Sequence, residues 1–334
     1  MSKKTEHQAV ERLTSKRQQW IERTASALDI SQPAVAEILD IERRPSFRIN
    51  DIKVSTKQEV QELLRRLLDS GWQGEALGAG FTIDVGYEAV RDSQAVIDGL
   101  LYIQNAASWL PVLALNPQPG EKILDVCAAP GGKAAHIAAM TKNRGELWVN
   151  DNSRVRLHKM RANFERLGVE TAGQTLYDAT QLARRYAQEQ PALFDKILLD
   201  APCSGEGLMR LNRDKDFATW SVAHIKRLQQ LQKKLIVQAW QLLKPGGLLV
   251  YSTCTMAPEE NEAVVDYLLR KKSNAQVKPI DINLANQVKP VLSWQGKMFD
   301  QSIAQSLRLT PSQHIEAFYV CSLNKSSRLV DTLD

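Results

Sequence analysis

Apolar residues fall into one rhythm in the first third of this chain and another in the remainder. Over residues 5–28, Leu13, Trp20, Ile21 and Leu28 recur among charges, the pattern of an amphipathic helix. Ser31 and Pro33 open a second, short helix that ends near Leu39. Phe47, Ile49 and Ile52 follow Pro45 and suggest a strand. Thr56 and Glu59 have the spacing of a capping box, and Val60, Leu63, Leu64 and Leu67 form the stripe of the helix behind it. Residues 81–85 alternate like a strand, and 102–110 read as a helix that enters a second unit.

From Ile123 onward, short apolar runs alternate with helical stretches. Strands are expected at 123–126, 145–151, 173–177, 194–200, 248–251 and 317–323. Helices are expected at 133–140, 153–167, 224–243 and 258–269. Such alternation predicts an α/β fold, a doubly wound, mostly parallel sheet preceded by a small α+β unit. The expected division is 1–95 for the N-terminal unit, 96–325 for the sheet domain and 326–334 for a tail.

Composition changes this picture little. Hydrophobic residues make up 43% of the 334, enough for a full core. The net charge of +5 permits a nucleic-acid partner without requiring one. The N-terminus has no apolar signal core and no stretch is long enough to span a bilayer, so a cytoplasmic protein with no membrane partner is expected. The four cysteines form no C-x-x-C pair, which argues against a metal site and against structural disulfides. Nothing in the sequence demands an oligomer, so a monomer is the expectation.

Candidate chemistry begins at residues 123–133, which read as strand, tight turn and helix start. Pro130-Gly131-Gly132 lets the backbone turn sharply and lets a ligand approach it. The run is neither the dinucleotide G-x-G-x-x-G nor a P-loop. Asp151 ends the next strand, roughly 20 residues after the glycines, the place from which an acid holds a ribose diol. Asp125, Asp178, Asp200, Cys203 and Cys254 also fall at or beyond expected strand ends, the rim where open α/β sheets bind ligands. Cys203 and Cys254 sit in polar turns, whereas Cys127 and Cys321 have apolar strand contexts typical of inert core thiols. A thiolate, an acid and a methyl donor on one rim suit methylation at carbon 5 of a pyrimidine, where addition of the thiolate to carbon 6 makes carbon 5 nucleophilic. The residues alone do not rank Cys203 against Cys254.

Three motifs carry a resemblance: Asp125-Val-Cys-Ala-Ala-Pro-Gly-Gly-Lys133, Asp200-Ala-Pro-Cys-Ser-Gly-Glu-Gly207, and Tyr251-Ser-Thr-Cys-Thr255 with Glu259-Glu-Asn-Glu262. Arg48-Ile-Asn50 and Tyr102-Ile-Gln-Asn-Ala-Ala-Ser108 add weaker matches. With these, residues 44–323 resemble the Sun/nucleolar-protein family of S-adenosylmethionine-dependent RNA cytosine-5 methyltransferases. The resemblance implies a Rossmann-like methyltransferase sheet, S-adenosyl-L-methionine as cofactor and ribosomal or transfer RNA as partner. It implies that Cys127, Ala128, Ala129, Pro130, Gly131, Gly132 and Lys133 wrap the methionine and ribose, that Asp151 holds the ribose hydroxyls, and that Asp178 lies by the adenine. It makes Cys254 the nucleophile and places Asp200 between cofactor and base. Cys203 would assist proton removal or product release, and Lys133 would help place the base or cofactor. The run Glu316-Ala-Phe-Tyr319 departs from the Asp-Gly-Phe-Phe of many members. Arg210 and Arg213, close to the catalytic loop, are the expected phosphate contacts. Arg43, Arg44 and Arg48 could touch RNA, but such residues are more often solvated surface. The competing reading is an RNA-binding assembly factor that keeps the fold without the chemistry.

Overall fold

The structure is a computed structural model that describes residues 3–189 and 193–327. The expected tail at 326–334 lies, from residue 328 on, outside the described residues.

A small antiparallel sheet comes first. Its strands are β1 (Ser46–Ile49), β2 (Ala76–Leu77), β3 (Gly80–Thr82) and β4 (Leu101–Ile103), in the order β2-β3-β1-β4. Helix Lys57–Asp69, started by the Thr56/Glu59 capping box, lays Leu63 and Leu67 over it beside Phe47, Trp72 and Leu101. Strand β4 differs from the helix expected at 102–110. Tyr102 and Ile103 pair with Arg48 and Phe47 across the free edge of β1. The helical turn begins only after Asn105, whose side chain accepts from the Ala107 amide at 2.9 Å. The small sheet therefore extends to Ile103, past residue 95.

The main sheet contains a parallel set, β5 (Lys122–Asp125), β6 (Glu146–Asn150), β7 (Gly173–Thr175), β8 (Phe194–Asp200) and β9 (Leu243–Thr253). Shorter strands follow: β10 (Ala275–Lys278), β11 (Gln287–Val288), β12 (Ser293–Trp294) and β13 (Lys297–Met298). Then come β14 (Leu307–Leu309) and β15 (Phe318–Lys325). The order is β11-β14-β15-β9-β8-β5-β6-β7, with β15 antiparallel to β9. This is the expected doubly wound sheet with an antiparallel extension. From β5 the chain winds outward to β6 and β7, then returns to the other side of β5 as β8. That reversal puts a ligand crevice at the carboxyl ends of β5 and β8. One apolar core lies on each face: Leu235, Ile236, Trp240 and Val264 on one, and Val112, Ala134, Ile137 and Met160 on the other.

The two N-terminal helices, Lys3–Leu28 and Gln32–Asp40, pack away from the small sheet. Trp20, Val35 and Leu39 join Met209, Phe217, Trp220 and Met256 in a separate cluster over the loops that carry Cys203 and Cys254. No described helix is long and apolar enough to cross a membrane. Among the described residues, no cluster of His, Cys, Asp or Glu is arranged to hold a metal ion.

Candidate active site

Strands β5, β8 and β9 deliver the chemistry because each ends in a polar residue just where its hydrogen-bonded ladder stops. Asp125 closes β5, Asp200 closes β8, and Cys254 follows the last residue of β9. The pairing Asp200 to Ser252 sets the second and third of these side by side, and Ser252 Oγ donates to Asp200 Oδ1 at 2.8 Å. Lys133, in the first turn of helix Gly132–Thr141, places Nζ 2.8 Å from Asp200 Oδ2. This ion pair is largely shielded from water, and Asp200 raises the lysine pKa against the opposing effect of burial. Lys133 is thus a partner of the motif acid rather than a surface lysine.

The two polar-turn cysteines meet. Cys203 Sγ and Cys254 Sγ are 3.3 Å apart, although 51 residues separate them in the chain. The contact with Cys254, reinforced by burial, pushes the Cys203 thiol well above its ordinary pKa. Burial likewise raises Cys127 and Cys321, consistent with inert thiols.

A cavity of about 360 Å³ runs along this rim, within the size range of small-molecule sites. Cys127, Ala129, Asp151, Asp178, Asp200, Cys203 and Cys254 are among its walls. A smaller cavity of about 180 Å³ adjoins it across Cys127, Ala129 and Asp200, and reaches Ala128, Pro130, Gly132 and Lys133. Gly131 sits at φ 101°, and a Cβ there would meet Met160 and Phe164, so its role is to let the turn pack. Asp151 is buried and accepts from the Ala129 amide at 3.2 Å and the Ser153 amide at 3.0 Å, with Arg156 beside it. Asp178 is exposed on the cavity rim and caps the following turn through the Thr180 amide at 2.9 Å.

These residues fit S-adenosylmethionine. Both carboxylate oxygens of Asp125 are buried without a hydrogen-bond partner. Burial and the neighbouring Asp200 push its pKa up to about 7. A bare acid at the cavity edge suits a cationic ligand group. Asp151 Oδ2 keeps an acceptor site for a ribose hydroxyl beside the Ala129 amide, and Leu231 and Leu235 supply an apolar wall.

Sequence reasoning missed what stands behind the cysteines. Arg48 is 1% exposed, not on the solvated surface: its guanidinium lies 5.6 Å from the Tyr102 ring and bonds Gln104. Arg43 reaches over from the N-terminal segment and donates to the carbonyls of Gly207 and Met209. Glu316 faces Arg43, Lys133 and Arg210, which offset part of the rise that burial imposes on its pKa. Arg213 is tied to Asp216 at 2.8 Å, whereas Arg210 is half-buried beside this cluster. Glu206 accepts from Trp220 Nε1 at 2.8 Å, and Arg23 grips Glu259 at 2.8 and 2.9 Å. The acid-rich run at 259–262 was the available signal, but nothing in it said which loops those acids hold.

Comparison with known proteins gives one coherent result. The family model for 16S rRNA methyltransferase RsmB/F matches residues 112–324. A tRNA (cytosine(49)-C(5))-methyltransferase of Pyrococcus abyssi is 38% identical over 290 residues, which cover 84% of this chain and 88% of that protein. A ribosomal RNA small subunit methyltransferase F of Aeromonas salmonicida is 40% identical over 245 residues, 70% of this chain and 50% of its own. The 25S rRNA (cytosine-C(5))-methyltransferase nop2 of Schizosaccharomyces pombe is 33% identical, with 89% of this chain and 49% of its own covered. The chain therefore spans about half the length of these two ribosomal RNA relatives. The crystal structure of a methyltransferase homologue from Pyrococcus horikoshii superposes with a TM-score of 0.77 at 30% identity, over 97% of this chain and 100% of that one.

Proposed function

The chain belongs to the RsmB/F family of RNA methyltransferases, and from this we propose that it methylates carbon 5 of a cytidine in ribosomal or transfer RNA through a covalent cysteine adduct. The observation that carries the reading is the contact of Cys203 with Cys254 at 3.3 Å, beside the Lys133–Asp200 pair, on the rim of the cofactor-sized cavity.

S-adenosylmethionine, when bound, supplies an electrophilic methyl group on a cationic sulfur. Asp125, Asp151, Asp178 and the loop 127–133 hold it. The Cys254 thiolate adds to carbon 6 of the cytosine, and the ring electrons move toward carbon 5. Asp200, kept in place by Lys133 and Ser252, delivers a proton to ring nitrogen 3 as the thiolate adds, and its carboxylate then accepts from that N–H and stabilises the adduct. After methylation, carbon 5 loses its proton to a base, the carbon–sulfur bond breaks, and Cys254 departs as a thiolate. Cys203, held protonated by its surroundings, donates its S–H to the departing sulfur and so assists release. The target base leaves its stack to reach Cys254, and Arg210 contacts the backbone of the RNA.

The test is methyl transfer from labelled S-adenosylmethionine to total RNA that lacks the modification, followed by nucleoside analysis. A 5-methylcytidine peak is expected, lost in Cys254→Ala and replaced by a denaturation-resistant protein–RNA complex in Cys203→Ala. Full activity of Cys254→Ala, or a different labelled nucleoside, would overturn the proposal. Cofactor binding without any methyl transfer would favour an assembly factor.

A further inference from the structure

Behind the two cysteines lies a buried polar network to which the mechanism above gives no part. From it we infer that Glu260 is the positioning residue that holds Cys203 against Cys254 for release of the adduct. The inference rests on the two-cysteine reading and adds to it a residue that touches neither substrate nor cofactor.

The backbone on both sides of Cys203 hangs from Glu260 and its neighbour Gln232. Glu260 Oε2 accepts from the Ser204 amide at 3.0 Å and from Gln232 Nε2 at 2.8 Å. The same Gln232 nitrogen donates to the Pro202 carbonyl at 2.9 Å. The other carboxylate oxygen accepts from Ser204 Oγ. Ser204 Oγ lies 2.8 Å from Thr255 Oγ1, the hydroxyl of the residue after Cys254, and that hydroxyl donates to Glu206 at 3.1 Å. One carboxyl thus ties the loop of Cys203 to the loop of Cys254. Glu260 and Gln232 are fully buried, so water cannot replace the bonds they make. Glu260 is itself anchored: Tyr251 Oη donates to its carbonyl at 2.6 Å, and Arg23 clamps the preceding Glu259.

Cys254 has supports of its own. Asn261 Nδ2 donates to the Thr255 carbonyl at 2.9 Å, the Thr253 hydroxyl bonds Asn261, and the Gly207 amide donates to the Cys254 carbonyl at 2.9 Å. Loss of the Glu260 carboxyl therefore loosens Cys203 far more than Cys254. The adduct still forms and its release slows. A neutral amide can make the same network, because its NH₂ can donate to Ser204 Oγ and Thr255 Oγ1 while its oxygen takes the bonds from Ser204 and Gln232.

The experiment compares the parent with Glu260→Ala, Glu260→Gln, Ser204→Ala and Cys203→Ala in the full chain. The probes are unmodified transcripts of transfer RNA and small-subunit ribosomal RNA. Turnover and the fraction of denaturation-resistant RNA adduct are measured per folded protein. Glu260→Ala is expected to turn over about 100-fold more slowly, the scale of a 1 Å misplacement, and to accumulate adduct as Cys203→Ala does. Glu260→Gln restores turnover and removes the excess adduct. Ser204→Ala shifts both in the same direction by less, and decides the matter if Glu260→Ala fails to fold. Slower turnover with no excess adduct would mean a general packing role and overturn the inference, as would parent-like turnover of Glu260→Ala. An absence of adduct in Cys203→Ala would overturn both this inference and the two-cysteine reading. Adduct in Cys203→Ala alone would remove only the role of Glu260.

Discussion

The pair between Arg308 of β14 and Glu262 lies close under the nucleophile loop, and its removal has a calculable cost. The guanidinium bonds the Glu262 carboxylate at 2.8 and 3.0 Å and also the carbonyl of Met256, two residues beyond Cys254. The side chains are 3% and 0% exposed, so neither charge has water to fall back on. Arg308→Met keeps most of the volume and strands the carboxylate, whose remaining bond is to the Val291 amide at 3.1 Å. Breaking a buried pair from one side costs about 3–5 kcal/mol. That is a large share of the roughly 5–15 kcal/mol by which folded proteins are stable. At about 2–4 °C per kcal/mol, the melting temperature should fall by roughly 6–20 °C. Removing both charges, as Arg308→Met with Glu262→Leu, should recover much of the loss, since an apolar pair of similar volume needs no countercharge. Thermal unfolding followed by circular dichroism reads both variants. An Arg308→Met protein that melts with the parent, or a double variant less stable than the single one, would refute the reasoning. The freed Met256 carbonyl should also slow methyl transfer below the melting range.

Two other outcomes are expected. Glu260 and Asp125 are both pushed up to about 7 by burial, above the roughly 4 of an unfolded carboxyl, so the folded chain retains protons that the unfolded chain releases. Their contribution to stability is complete below the unfolded value and is lost as pH rises through about 7. Urea midpoints should therefore fall from pH 5 to pH 8, and Glu260→Gln should flatten that slope; an unchanged slope would contradict the assignment. Asp151→Ala should weaken S-adenosylmethionine binding by about 10- to 100-fold, the value of a lost charge-assisted hydrogen bond, as read by calorimetry. An unchanged affinity would remove Asp151 from the cofactor site.

Much of the design was readable along the chain because it is local. Apolar runs bounded by turn residues marked β5, β6, β8 and β9, and the Thr56/Glu59 spacing marked a helix start that the structure retains. The position of acids and cysteines at strand ends followed from the same pattern. The small sheet was read less well. Strand β4 exists because the edge of β1 is there to pair with it, a partner more than 50 residues away in the chain. Arg48 looked like surface because nothing nearby in sequence shows the ring of Tyr102 that covers it.

What the sequence by itself determined is the kind of chemistry: which residue types stand at the carboxyl ends of a parallel sheet, and the motifs that mark them. Only the tertiary structure decided which of them meet. Residues 203 and 254 come within 3.3 Å because β8 and β9 pair in parallel register, so their loops leave the sheet side by side. The acids at 206, 259, 260 and 262 are sorted to different partners by the packing of the loops around them. Hydrogen bonds and charge pairing act over a few ångströms, and such distances between remote residues are set by folding rather than by spacing in the chain.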